Sequence, residues 1–255
     1  MFLKDNGSFW RAGVTQLVEC DLAKVDVAGS NPVSRSIFLR SGLAMIKRCF
    51  VLLCGALLGV SAVVAQDYKL ERITTAAPGL PAAIAAVIET EGFRVTGPSG
   101  PWCEIWFCKS IPMGAQPAGN AIVFPIAHGT LVGILRFPAT GADRRGQTIQ
   151  PAVYTFRYSN FPMNGAHRGV APQRDFVLPT PIASDAGPNA TPDFDGLVRM
   201  SGKASGTPPP AMFSIEPPSG STFPAVTREG GHDWVLNVKI GDLPFAIIVA
   251  GKVEA

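Results

Sequence analysis

The sequence has few of the side chains with which proteins usually bind metal ions or haem. Only five cysteines and three histidines occur in its 255 residues. The histidines are His128, His167 and His232. They share no local ligand spacing, and no histidine follows Cys108 as in a c-type haem attachment sequence. The sequence therefore predicts no cofactor and no local metal motif. It leaves open a soft-metal site assembled in space, with copper on Met113, Met163 and His167.

A serine-hydrolase signature is also missing. The nucleophile of many hydrolases lies in a Gly-x-Ser-x-Gly turn, and in the most similar segment, residues 202–206, the serine comes one place too late. His232 and Asp233 are adjacent, so on a strand their side chains would point to opposite faces. No catalytic residue is assigned, and a hydrolase is kept only as an alternative.

Long apolar runs are scarce, and one of them has the pattern of a secretory signal peptide. Residues 45–48 include two basic side chains, and an apolar run follows at residues 49–64. Small side chains lie one and three places before Gln66, as at a signal-peptidase site. The run is too short to span a membrane comfortably. We expect residues 45–65 to be removed, and the mature protein to be exported, periplasmic or extracellular, without a stable membrane anchor.

The residues before this signal peptide resemble a gene rather than a protein segment. Residues 20–26 can be back-translated to an anticodon arm in which CGACC pairs with GGTCG around the glycine anticodon GCC. Residues 29–32 can supply GTTCGAAT, the core of a T arm, and flanking residues fit the D arm and the acceptor stem. Residues 11–36 thus resemble a translated bacterial glycine transfer-RNA gene. This resemblance implies that residues 1–44 are a spurious extension from a misassigned start.

The mature chain has no surplus of charge of either sign. Of the 22 basic and 19 acidic residues, seven and four lie before Gln66, which leaves 15 of each. A phosphate-binding face needs a surplus of Lys and Arg, so nucleic acid is set aside as a partner. We expect an unknown small molecule or a component of the cell envelope instead.

Proline and glycine are spread over the mature chain, residues 66–255, and divide it into short apolar runs. This pattern predicts a single domain of the mainly β class, an antiparallel β-sandwich with one or two short capping helices. Helices are predicted at residues 80–90 and 192–204, the second with Thr191 as its N-cap. Two nearly continuous apolar runs, residues 131–137 and 245–251, predict strands buried on both faces. Further strands are predicted at residues 93–96, 102–109, 121–125, 152–159, 175–178, 211–215 and 233–240.

Cys103 and Cys108 are the only cysteines after the predicted cleavage site. Export favours a disulfide between them. On one straight strand, however, their Cα atoms would lie about 16 Å apart, against about 4.4–6.8 Å in a disulfide. Two alternatives stay open: a disulfide across a bulged or turned segment, or two free buried thiols.

The densest group of polar residues lies at 164–175, in a loop that runs into a strand. His167, Arg168, Arg174 and Asp175 are predicted to bind an anionic or sugar ligand, with the guanidinium groups as paired donors. In the structural alternative, Arg174 and Asp175 simply pair across a sheet edge.

Two segments resemble a group of uncharacterised exported bacterial β-sandwich proteins of unknown function. They are Gln-Pro-Ala-Val-Tyr-Thr-Phe-Arg-Tyr at 150–158 and Gly-Val-Ala-Pro-Gln-Arg-Asp-Phe at 169–176. The group usually has Pro-Gly-x-Tyr-x-Leu-Arg-Tyr and then Gly-Val-x-Pro-x-Arg-Asp-Phe, so Ala152 stands in place of a glycine. The resemblance covers residues 80–253 and implies a fold but no activity.

Three functions are compatible with these patterns. We expect an exported, non-enzymatic module that binds a ligand or partner through the loop 159–175. The alternatives are a hydrolase-type enzyme with a site around His167 and Arg174, and a soft-metal (copper) binding protein.

N-terminal sequencing of the exported protein checks the predicted processing. We expect the mature chain to begin at Gln66, because the small residues before it form the cleavage site. An exported chain that retains residues 11–36 would contradict both the signal peptide and the transfer-RNA interpretation.

Overall fold

Strands dominate the part of the chain that the structure describes. The structure is a computed structural model, and it describes residues 67–114, 123–160, 173–207 and 209–252. All of these belong to one unit, Val63–Ala255. The predicted signal peptide and the predicted spurious extension lie outside the described residues.

The strands, numbered in chain order, are β1 (Lys69–Ile73), β2 (Gly92–Gly97), β3 (Gly100–Phe107), β4 (Leu131–Phe137), β5 (Gly141–Ala142), β6 (Thr148–Ile149), β7 (Ala152–Asn160), β8 (Asp175–Pro181), β9 (Phe213–Glu216), β10 (Ala225–Glu229), β11 (Asp233–Ile240) and β12 (Leu243–Ala250). The described ranges also contain helices α1 (Ala82–Ala85) and α2 (Phe194–Ser205) and a 3-10 turn at Ile182–Ser184. Neither of these two helices is long and apolar enough to cross a bilayer.

Ten of the described strands form one sheet, in the order β1-β2-β3-β4-β7-β8-β9-β12-β11-β10, while β5 and β6 form a separate small hairpin. All pairings between these strands are antiparallel. The predicted fold class, mainly β and antiparallel with short helices, is confirmed. The two layers of the sandwich are the two halves of one continuous hydrogen-bonded sheet.

The sheet curls so that the inner faces of its two halves pack on each other. Phe107 of β3 contacts Phe245 of β12 with ring centroids 5.9 Å apart, and Phe124 stacks on the same ring at 5.4 Å. The indole Nε1 of Trp102 donates a hydrogen bond of 2.8 Å to the carbonyl of Val249, which joins β3 to β12. One continuous core therefore links both halves, and the edge strands β1 and β10 come near each other.

The two strands with nearly continuous apolar sequence lie in the interior of the sheet. Strand β4 is buried at every position except Arg136, and β12 is buried from Phe245 to its end. Because residues on both faces of these strands avoid water, the prediction from residues 131–137 and 245–251 is confirmed.

Helix α1 is shorter than the sequence predicts. The helical spacing at residues 80–90 predicts a longer helix, but α1 is a single turn, Ala82–Ala85. Beyond that turn the chain pairs with the end of β3, where the Glu89 N–H donates to the Phe107 carbonyl at 2.9 Å. The strand satisfies backbone groups that a longer helix would have paired internally, so tertiary contacts override local helix propensity.

Helix α2 confirms the second predicted helix, with a different cap. The carboxylate of Asp193, rather than Thr191, caps it by accepting the Gly196 N–H at 2.7 Å. The helix ends at Gly206, whose φ of 69° lies in the left-handed region that favours glycine. Leu197 packs in a cluster with apolar residues of β8. The helix therefore covers part of the outer face of the sheet.

A buried ion pair lies beside α2 on the outer face of β7. The Nε and Nη2 atoms of Arg157 donate to the two carboxylate oxygens of Asp185, each at 2.7 Å. The carbonyls of Gly129, Gly187 and Ala190 accept its other hydrogen bonds, at 2.5, 2.5 and 2.8 Å. Both side chains of the pair are completely buried. The guanidinium therefore fastens the chain around residues 185–190 to the sheet.

The carboxylate of Asp185 is held in its ionised form. Burial raises its pKa, but hydrogen bonds from Arg157, from the Thr155 hydroxyl and from the Gly187 N–H outweigh burial and keep the pKa below its ordinary value. A carboxylate with a lowered pKa in the folded state contributes stability above its unfolded pKa of about 4. That contribution is lost as the pH falls through the lower, folded value.

Replacing Arg157 with Met should therefore destabilise the protein strongly. The change leaves Asp185 buried without its counter-charge, which costs about 3–5 kcal/mol. Urea unfolding measures the loss. Arg72→Met is the matched control, because Arg72 and Glu91 form an exposed pair at 3.5 Å of a kind worth about 0–1 kcal/mol. Equal losses in the two variants would contradict the assigned role of Arg157.

Candidate functional site

The structure describes only two of the four predicted ligand-binding residues, since His167 and Arg168 lie outside the described ranges. Asp175, at the start of β8, is fully buried. Its carboxylate accepts hydrogen bonds from the Val123 N–H at 2.8 Å and from the Tyr158 hydroxyl at 2.7 Å. Burial and this carboxylate raise the pKa of Tyr158. Asp175 thus anchors the segment before β4 to the sheet, and the grouping of the four residues stays a prediction.

Cys103 and Cys108 are present as free, buried thiols, the second of the two alternatives that the sequence leaves open. Cys103 lies within β3. Cys108 follows that strand, and its backbone pairs with that of Ile88 in an isolated antiparallel β-bridge. The Sγ of Cys108 donates to the Leu131 carbonyl at 3.3 Å. Burial raises its pKa to about 12, although Arg157 acts in the opposite direction. Burial also raises the pKa of Cys103. Neither thiol is suited to act as a nucleophile.

His128, which is not among the predicted site residues, joins β7 to the segment before α2. His128 lies between the Ser159 hydroxyl, 3.0 Å from Nδ1, and the Pro192 carbonyl, 3.1 Å from Nε2. A carbonyl only accepts, so Nε2 carries the proton and Nδ1 accepts from Ser159. Ser159 has no exposed surface. These hydrogen bonds therefore hold the segment before α2 against β7, and the buried Ser159 hydroxyl is not accessible to a substrate.

Among the described residues, the most suitable site for a ligand lies where β3 and the end of β12 meet the β5–β6 hairpin. A cavity of about 310 Å³ is lined by Tyr68, Trp102, residues 142–146 and residues 250–252. We call it the seam pocket. It is large enough to hold a small molecule, and its lining comes from the residue before β1, from β3, from the β5–β6 hairpin and from the end of β12.

The hairpin tip that forms one wall is held in place by Asp143. This carboxylate is buried and accepts the N–H groups of Arg145, Gln147 and Met212 at 2.9, 3.0 and 3.3 Å. It also pairs with the Arg145 guanidinium at 2.8 Å. Arg145 in turn donates to the carbonyl of Pro210 at 2.5 Å. The wall is therefore preorganised, and the charges of Asp143 and Arg145 largely offset each other.

Arg144 is held in position by Asp233 and His232. Its Nε donates to Asp233 Oδ1 at 2.7 Å, and its Nη2 donates to His232 Nε2 at 3.1 Å. A guanidinium only donates, so Nε2 of His232 is the acceptor in this contact. The Arg144 side chain is only 14% exposed, yet it lines the seam pocket. Its Nη1 has no hydrogen-bond partner within the described ranges.

Lys252 supplies a second available cation. It is exposed, lines the same pocket, and forms no hydrogen bond or ion pair with any residue that the structure describes. At Gly251, the neighbouring residue, a Cβ atom would collide with the carboxylate of Asp233. Glycine is therefore needed for the end of β12 to pass beside the Arg144–Asp233 pair. The described lining has three cationic side chains and one carboxylate. Asp233 pairs with Arg144 and Asp143 pairs with Arg145, so the Lys252 ammonium carries the uncompensated positive charge of the lining.

Two aromatic side chains form the remaining wall. Tyr68 and Trp102 contact each other edge to face, with centroids 6.3 Å apart and planes at 82°. Behind them, Phe137 packs on Trp102 at 5.6 Å and Trp234 packs on Tyr68 at 5.3 Å. Burial raises the pKa of Tyr68, so its hydroxyl stays protonated at neutral pH. Packing from behind keeps the two rings fixed against the cavity.

A smaller, acidic pocket of about 130 Å³ adjoins Asp233 and is also lined by Glu216 and Glu229. Burial raises the pKa of Glu216, a hydrogen bond from Gln173 lowers it, and the Asp233 charge raises it further.

In the described ranges no group of three His, Cys, Asp or Glu side chains suits a metal ion. Of the residues considered for copper, Met113 is 44% exposed, and Met163 and His167 lie outside those ranges.

Sequence reasoning missed the seam pocket because its lining comes from four separate segments. The one local signal of the pocket is the sequence Gly-Ala-Asp-Arg-Arg-Gly at residues 141–146, a turn with two adjacent arginines.

No family model, curated protein or solved structure matches the chain. The resemblance to exported β-sandwich proteins therefore stays a prediction.

Ellman's reagent tests the state of the two thiols. In the folded mature protein we expect neither Cys103 nor Cys108 to react at about pH 8, because burial keeps both protonated. In guanidinium chloride without reductant, both should react. An unfolded mature chain that shows no thiol until a reductant is added would instead establish a disulfide.

Proposed function

We propose that this protein is an exported, non-enzymatic binding module that holds a small anionic ligand in the seam pocket. The observation that carries the proposal is the pair of available cationic groups, Nη1 of Arg144 and the Lys252 ammonium, at a cavity of about 310 Å³ with aromatic walls. Export follows from the predicted signal peptide. The binding position differs from the loop 159–175 expected from the sequence.

Arg144 supports the proposal because it is already ordered. Its bonds to Asp233 and His232 fix the guanidinium before a ligand arrives. Immobilising a free side chain costs about 0.5–1.5 kcal/mol on binding, and a preorganised arginine avoids most of that cost. A ligand carboxylate or phosphate would gain a charge-assisted hydrogen bond, worth about 1.5–3 kcal/mol.

The lining favours binding over catalysis. Its described residues include no serine, cysteine or histidine, and their single carboxylate, Asp143, is engaged by Arg145 and by backbone N–H groups. The described residues offer no contact that favours the hydrolase around His167 and Arg174 or the copper site.

Isothermal titration calorimetry with phosphate, glucuronate and phenylacetate tests the proposal on the purified protein. At least one of these anions should bind, and binding should weaken as ionic strength rises. Arg144→Gln should lower the affinity about 10- to 100-fold, because it removes a charge-assisted hydrogen bond. Lys252→Gln should lower it about 3- to 10-fold, because the lysine is more exposed.

Lys239→Gln is the matched control, since Lys239 is exposed on β11 and does not line the pocket. It should bind as the unchanged protein does. Equal affinities in Lys252→Gln and Lys239→Gln, or no binding of any of the three anions, would contradict the proposal. Thermal unfolding of each variant shows whether a loss of binding comes from a loss of fold.

A further inference from the structure

The seam pocket leaves very few polar groups open to a ligand. Asp143 and Arg145 engage each other, and the indole N–H of Trp102 donates to the Val249 carbonyl. Within the described part of the chain, the open side-chain groups of the lining are Nη1 of Arg144, Nη1 of Arg145, the Lys252 ammonium and the Tyr68 hydroxyl.

This set of groups matches one class of anion better than others. A sugar carries hydroxyls around its whole ring, and its recognition needs several side chains that both donate and accept. Among the open side chains only the Tyr68 hydroxyl can accept. Arg144 and Lys252 both line the pocket and can bind an acid group of the ligand. Few further side-chain groups of the described lining, Nη1 of Arg145 among them, remain for other polar groups on the ligand.

The aromatic part of the lining offers flat apolar surface. With its N–H already bonded, Trp102 presents mainly carbon atoms, and Tyr68 meets it at 82°, so the two rings form a corner. An aromatic ring in such a corner can stack on one wall and meet the other edge to face, the two geometries that aromatic pairs prefer. The volume of about 310 Å³ is near the lower end of ligand pockets, which suits one ring system.

We infer that the ligand is a small aromatic carboxylate, bound with its acid group between Arg144 and Lys252 and its ring in the corner of Tyr68 and Trp102. This inference rests on the proposed function and names the ligand class of the same pocket. It assigns separate roles to the two walls: the cations provide affinity for the charge, and the rings select the body of the ligand.

Calorimetry with a matched set of ligands tests the inference. Phenylacetate should bind most tightly. Cyclohexylacetate has the same charge and a similar size but no aromatic ring, and should bind about 2- to 10-fold more weakly. Phenylacetamide, which keeps the ring but lacks the charge, should bind at least about 10-fold more weakly. Glucuronate should bind more weakly than cyclohexylacetate.

Two variants of Tyr68 separate the ring from the hydroxyl. Tyr68→Phe should keep the preference for phenylacetate over cyclohexylacetate, and Tyr68→Leu should reduce it, while Lys252→Gln should weaken both acids equally. If glucuronate bound as tightly as phenylacetate and Lys252→Gln weakened it, the aromatic inference would be overturned and the anion-binding proposal would stand. If no acid bound, both would be overturned.

Discussion

A single antiparallel sheet of ten strands has to bury one of its faces against itself, because in the described chain no second large sheet and no long helical layer is present to cover it. The curl that solves this problem places Phe107 and Phe124 against Phe245 and makes one core from both halves. The same curl brings the end of β12 beside β3, where the Trp102 indole donates to the Val249 carbonyl. The seam pocket is thus a consequence of how the protein buries its apolar surface.

The outer face is stabilised in a different way. There, helix α2 and the chain at residues 185–190 cover buried polar groups, and Arg157 satisfies the carbonyls of that segment while it neutralises Asp185. A buried ion pair contributes little net stability compared with apolar packing, but the loss of one partner is costly. Such a pair therefore fixes one arrangement of the segment. A largely buried ion pair also lies beside the seam pocket, where Arg144 and Asp233 join the β5–β6 hairpin to β11.

The sequence predicted those parts of the fold that depend on local pattern. The apolar runs of β4 and β12 are visible without knowing their neighbours, and so is the start of α2, although the N-cap is Asp193 and not the predicted Thr191. The helix at residues 80–90 was predicted too long because its second half pairs with β3, a contact between segments that periodicity does not show. The pocket was not predicted for the same reason: residues 68, 102, 144 and 252 meet only after the sheet has curled.

The central claim is that this seam is where the protein binds its ligand. The most direct measurement is a ¹H–¹⁵N amide shift titration of the labelled protein with phenylacetate. The account predicts that the largest shifts fall on residues 142–146 and 250–252, with small shifts around the Arg157–Asp185 pair on the outer face. Saturable shifts centred on that pair, or on any surface away from the seam, would contradict it.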